Sequence, residues 1–172
     1  MSKCLVFLLI SACAPLSAQV PVSVATDQAA LLKDPNPRLA ANKQVAFDFW
    51  RTVLDAGHAD QAGKYLDENY IQHNPVIPTG RAAIVGMLSK ATPKPIQPTV
   101  AGLVNVVADG DTVILAFVDE EPDPRKPGAK YTTTRFDMFR IQNGKIMEHW
   151  DNMRIGAGPP GGPGAPPGPP PG

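Results

Sequence analysis

The hydrophobic periodicity of this chain changes once, at a proline-rich link over residues 93–98, and a fold of one layer type cannot accommodate that change. Before the link, Leu39, Ala46, Phe49, Trp50, Val53 and Leu54 form one stripe at helical spacing, with Gln44, Asp48, Arg51 and Asp55 opposite. This predicts an amphipathic helix running from Pro37 to Gly57. A shorter helical piece over 61–66 follows, then a strand over 68–74 broken by Pro75. Thr79 is placed to cap a third helix over 81–90. After the link, residues 100–108, 112–118, 131–142 and 145–153 are rich in β-branched and aromatic side chains, and Asp109-Gly110 and Asn143-Gly144 are hairpin-turn pairs. Helices followed by an antiparallel meander make an α+β domain. Both the helical stripe and one sheet face are buried if the sheet curls around the helices, which leaves a concave pocket. Residues 119–128 read as a charged, proline-containing loop that lacks the ligand spacing of a calcium site.

The chain has 172 residues, and its ends carry no core. Met1, Ser2 and Lys3 precede an apolar run over 5–10 and the small-residue segment Pro15-Leu16-Ser17-Ala18-Gln19, which predicts a secretory signal cut after Ala18 and a secreted or periplasmic protein. The apolar run is well short of the ~20 residues of a membrane span. Cys4 and Cys13 are the only cysteines, so the mature domain is expected to have neither disulfide nor thiolate. In a second reading, Ile10-Ser11-Ala12-Cys13 resembles a bacterial lipobox, and cleavage there would leave a lipid anchor at Cys13. Residues 19–35 read as a linker and 36–155 as the domain. Residues 156–172 are Gly, Pro and Ala only, a composition expected to stay disordered. Glycines 158, 161 and 164 keep a period of three, but 168 and 172 break it, which excludes collagen. Sixteen basic residues balance sixteen acidic ones, so nothing drives association with a phosphate backbone, and no nucleic-acid partner is expected.

Three histidines are candidates for chemistry. His58, at the exit of the first helix, reads as structural. His73 lies between Gln72 and Asn74 where a strand ends, a common place for a pocket wall. In Glu148-His149-Trp150-Asp151, strand alternation puts His149 and Asp151 on one face and Glu148 and Trp150 on the other. An imidazole and a carboxylate on one pocket wall make a proton-transfer pair; on a terminal strand the same residues can be only its wet side. A metal site of His73, His149 and Asp151 requires three convergent ligands, which nothing in the sequence enforces.

The segments Tyr70-Ile71-Gln72-His73-Asn74-Pro75, Asp137-Met138-Phe139-Arg140 and Asn143-Gly144-Lys145-Ile146-Met147-Glu148-His149-Trp150-Asp151, in this order, resemble the SnoaL-like (polyketide cyclase-like) group of the NTF2-like superfamily over residues 38–154. The resemblance implies a cone-shaped α+β fold with a deep pocket and aldol-type cyclisation without metal or cofactor. It also implies an aspartate as general acid/base with histidine-type partners, and a homodimer through the open sheet face. By position in the motif, Asp151 takes the acid/base role with His73 as its partner across the pocket. Asp137 and His149 rank second, and Asn74, Tyr70, Glu148 and Trp150 are expected to contact the substrate.

A geometric conflict accompanies this assignment. A two-residue turn at Asn143-Gly144 pairs Phe136 with Asp151 and Asp137 with Trp150, which sends the two aspartates to opposite faces. Without a bulge, either Asp137, Glu148 and Trp150 line the pocket or His149 and Asp151 do. Two functions follow: an exported enzyme that enolises a small, largely apolar carbonyl compound, or an exported ligand-binding domain without turnover.

Overall fold

The computed structural model describes residues 19–153 and 155. The expected signal segment, its two cysteines and the Gly/Pro tail lie outside these residues. The elements run α1 (Gln28–Leu31), α2 (Pro37–Phe49), a π-helical turn (Trp50–Asp55), a short 3-10 turn (Ala59–Gln61), α3 (Ala62–Tyr65), β1 (Leu66–Gln72), α4 (Arg81–Leu88), β2 (Leu103–Asp109), β3 (Thr112–Pro122), β4 (Lys130–Gln142) and β5 (Lys145–Asp151). The fold class is the α+β arrangement expected from the change of periodicity.

One five-stranded sheet has the order β1-β5-β4-β3-β2. Strands β2 to β5 form the antiparallel meander, whereas β1 adds to the edge in parallel with β5. Helix α2 packs on β2, β3 and β5. Phe47, Phe49, Trp50 and Val53 from the helical layer meet Leu103, Val113, Leu115, Phe117, Phe139, Ile141 and Ile146 from the sheet. Trp50 lies against Phe117 with ring centroids 4.3 Å apart, and Phe139 meets Phe49 edge-on at 5.9 Å. Apolar burial and aromatic packing of this kind are the main favourable terms available to a domain without crosslinks.

Several local expectations change. The first helix is not uniform: α-helical geometry gives way to a π turn at Trp50, which alters the facing of Trp50 and Leu54 at the pocket. Thr79 does not cap α4. Gly80, at φ 98°, is the N-cap, and Thr79 Oγ1 accepts instead from Gln72 N–H at 2.8 Å, tying the end of β1 to the approach to α4. Strand β3 continues through Pro122 because Asp119–Pro122 keep pairing with β4, so the turn is shorter than the expected loop.

Residues 19–35 are not a free linker. Asp27 caps α1, and the buried Gln28 exchanges two hydrogen bonds with the backbone of Val100: Nε2 to O at 2.9 Å, and Val100 N–H to Oε1 at 2.8 Å. Ala25 N–H donates to Leu103 O at 2.8 Å, and Lys43 on α2 pairs with Asp34 at 3.1 Å. The segment is therefore part of the domain.

Candidate active site

Tyr70, Gln72 and Asn74 alternate along β1 and its extension, and the same alternation turns Ile71 and His73 the other way. The inward set is chosen by Tyr70, which is 1% exposed. On β4, Arg135, Asp137, Phe139 and Ile141 face inward by the same period, while Phe136 is half exposed on the outside.

Strand β5 supplies the third wall through a bulge. Gln142 pairs with Lys145 and Ile141 with Ile146, as the two-residue turn dictates. The register then shifts, so that Arg140 faces Glu148, Phe139 faces His149 and Asp137 faces Asp151. Met147 is the additional residue. Ile146 can thus enter the core next to the turn while His149 and Asp151, three and five residues later, share its face. Asp137 and Asp151 lie side by side, and the conflict posed by the unbulged hairpin disappears.

The three elements line a pocket of about 130 Å³ with an open mouth. Phe49, Trp50, Leu54, Ile77, Ile84, Met87 and Phe139 form its apolar walls, and Tyr70, Gln72, Asp137, His149 and Asp151 its polar side. Larger hollows of about 500 and 590 Å³ open on the surface, one around Arg51 and Lys94 and one around Arg38 and Asp111, and neither contains an imidazole.

Asn74 N–H donates to Gln72 Oε1 at 3.0 Å, so that oxygen is an acceptor, and His149 Nδ1, 2.8 Å from it, donates. Gln72 Nε2 donates to the Tyr70 hydroxyl at 3.0 Å. His149 Nε2 lies 3.0 Å from Asp137 Oδ1, a contact that requires one proton shared between imidazole and carboxylate. Arg135 donates to the other oxygen of Asp137, so both oxygens of that side chain are engaged. The Arg135 guanidinium is itself held 4.5 Å from the Phe117 centroid and 3.4 Å from Asp119.

Asp151 has different company. Its Oδ2 accepts from Asn74 Nδ2 at 2.5 Å and its Oδ1 from Met153 N–H at 2.9 Å, both neutral donors. Burial, followed by the nearby charges of Asp151 and Asp137, pushes the Tyr70 phenol well above its ordinary value. Tyr70 is consequently a hydrogen-bond donor and not a base.

His73 does not reach Asp151. It stands on the outer sheet face with Nε2 2.7 Å from Glu148 Oε1, its ring stacked on Trp150 at 5.1 Å between centroids. Asn74 occupies the position across from Asp151 that His73 was expected to take. Glu148 also accepts from Arg140 Nε at 2.8 Å, and the two neighbours, His73 first, hold its carboxyl below the ordinary range. Glu148 and Trp150 therefore lie away from the cavity, contrary to their expected substrate contact, because strand alternation opposes them to His149 and Asp151. The metal trio of His73, His149 and Asp151 is separated by the sheet for the same reason. The side chains whose ligand atoms gather within 4.8 Å of one another are Asp137, His149 and Asp151, with one of the Asp137 oxygens already engaged by Arg135. His58 is structural, its Nε2 2.9 Å from Lys94 O.

Sequence reasoning did not single out Gln72 or Arg135. For Gln72 the signal existed, in its alternation with Tyr70 and Asn74. Arg135 carries none beyond its i,i+2 relation to Asp137.

No helix among the described residues is long and apolar enough to cross a membrane. No curated protein matches the chain. Among solved structures, the chain is similar to a candidate polyketide cyclase from Acidithiobacillus ferrooxidans, at 21% identity over 64% of this chain and 86% of that one, with a TM-score of 0.46. It is also similar to a protein of unknown function with a cystatin-like fold from Xanthomonas campestris (20%, 64% and 88%, TM-score 0.45). A third is IdmH, a candidate polyketide cyclase from Streptomyces antibioticus (18%, 64% and 89%, TM-score 0.45). The family model for the SnoaL-like domain matches residues 47–149, which take in Phe49, Trp50, Val53 and Leu54 of the helical stripe, the inward face of β1, and the β4–β5 hairpin as far as His149. With that match running over more than half its length, the chain belongs to the SnoaL-like domain family.

Proposed function

We propose that the domain is a small acid/base enzyme that enolises a carbonyl compound and either closes an aldol-type bond or moves a double bond. The observation that carries this reading is the pairing of two inward aspartates with unlike partners. Asp137 is tied to Arg135 and His149 by charge-assisted bonds, whereas Asp151 is held only by neutral donors and lines an apolar cavity. Asp151 is thus the carboxylate with no charged partner, free to meet a substrate proton. It takes the proton next to the substrate carbonyl, the C–H pair forms the new C=C bond, and the carbonyl oxygen becomes an enolate that accepts from the Tyr70 hydroxyl. The proton on Asp151 then goes to the alkoxide formed by attack on a second carbonyl, or returns at another carbon. Asp137, Gln72 and Arg135 position His149 and fill the rest of the wall.

Deuterium exchange into pentane-2,4-dione by purified protein tests this directly. Asp151→Asn is expected to lower the rate by about 10² to 10⁴, and His73→Ala, on the outer face, to leave it unchanged. The same rate is expected after treatment with a chelator. Equal exchange in wild type and Asp151→Asn removes the catalytic role and leaves the second reading, a binding domain without turnover, supported by the largely apolar pocket.

Export belongs to the proposal through residues 1–18. N-terminal sequencing of protein from the producing cells is expected to begin at Gln19; a chain beginning at a lipid-labelled Cys13 would establish the lipobox reading instead.

A further inference from the structure

The cavity has a size and a charge, and together they define the class of molecule it accepts. A void of about 150 Å³ holds one benzene, so a pocket of about 130 Å³ has room within its walls for a group of comparable bulk, and the remainder of a larger molecule would extend from its open mouth. Its lining carries two aspartates and one histidine, and among the described residues that line it there is no lysine or arginine. The one guanidinium behind the wall, Arg135, is spent on Asp137 and Asp119. The His149 ring is committed to Gln72 and Asp137. An anion entering this space would meet the Asp151 carboxylate with no free cation to offset it.

A cation would meet the same carboxylate as a partner, so the charge of the wall selects against anions alone. A neutral carbonyl needs one donor, and the Tyr70 hydroxyl supplies it.

Building on the acid/base reading of Asp151, we infer that the substrate presents to the pocket an uncharged carbonyl group of about six to eight non-hydrogen atoms, a short 1,3-dicarbonyl or its enone equivalent, and that keto acids of equal size are excluded. Met87, half exposed while also lining the cavity, stands at its rim, and the buried Ile84 closes its floor on the side of α4.

The test measures binding separately from turnover, by methyl chemical shifts of Ile77, Ile84 and Met87 on full-length mature protein. Two probes are titrated: pentane-2,4-dione and acetoacetate. The neutral diketone is expected to shift all three residues and to bind at least about tenfold more tightly than acetoacetate. Asp151→Asn is expected to narrow that gap by about tenfold. Acetoacetate binding as tightly as pentane-2,4-dione overturns the inference. So does an absence of shifts with the neutral diketone, or an unchanged gap in Asp151→Asn. If the order of binding holds but wild-type protein exchanges no deuterium, the ligand class stands and the enzymatic reading falls.

Discussion

Asp137 and Asp151 face the same cavity from paired strand positions, and their different neighbours give them different work. The same contrast separates Tyr70 from an ordinary tyrosine: burial and two nearby carboxylates penalise the phenolate, so the hydroxyl keeps its proton where an enolate would need it. Tyr70→Phe is expected to reduce deuterium exchange by about 10² with little change in KM, as for loss of one donor to a developing oxyanion. Glu148, on the outer face, contributes to acid stability. His73 and Arg140 lower its folded pKa from 4.5, so its contribution is present above that value and is lost as falling pH protonates it in the folded state. Thermal melts of Glu148→Gln are expected to show a shallower loss of Tm below pH 4.5 than wild type; identical acid limbs would show that the His73–Glu148–Arg140 chain carries no linkage. His73 illustrates the limit of reading residues one at a time. Its motif neighbours pointed to the pocket, but its position in the alternation, beside the buried Tyr70, points out.

At the level of elements, the β4–β5 hairpin decides the site. Asn143 and Gly144 both have positive φ, 52° and 71°, as a tight hairpin turn of this hand requires, and that was legible as an Asn-Gly pair. The shift at Met147 was not, because a bulge depends on how both strands pack and no residue type marks it here. Deleting Met147 would remove the bulge and leave Ile146 opposite Ile141, Glu148 opposite Arg140 and Asp151 opposite Asp137, with His149 and Asp151 still on the inward face. Exchange activity is expected to persist, and amide spectra should report regular pairing along β5. Loss of activity would mean that the local twist of the bulge, beyond the register it sets, is needed at the site. The π turn at Trp50 is a second such feature: the helical stripe predicted which residues are buried, while the widened turn, unseen in the period, aims Trp50 and Leu54 into the cavity.

For the molecule as a whole, the N-terminal segment shows how composition can mislead. Residues 19–35 have little apolar periodicity and read as a linker, but Gln28 satisfies both backbone groups of Val100 at the entrance to β2. Gln28→Ala leaves those buried groups without partners and is expected to cost about 2 kcal/mol in chemical denaturation; a change below a few tenths would show that water replaces the side chain. The change of period at the proline link established the α+β class, and the inward run of β-branched and aromatic residues established a meander, since both are properties of adjacent residues along one strand or helix. Alternation with His149 gave Asp151 a face but not a role, which came from its position in the family motif. Which partners it meets was settled only by packing: the parallel addition of β1 beside β5 brings Asn74 and Gln72 across from it, and the bulge brings Asp137 alongside. Those contacts join residues more than ten positions apart, and the register that sets them follows from filling the core around Ile146, Phe139 and Phe49, which no local pattern contains.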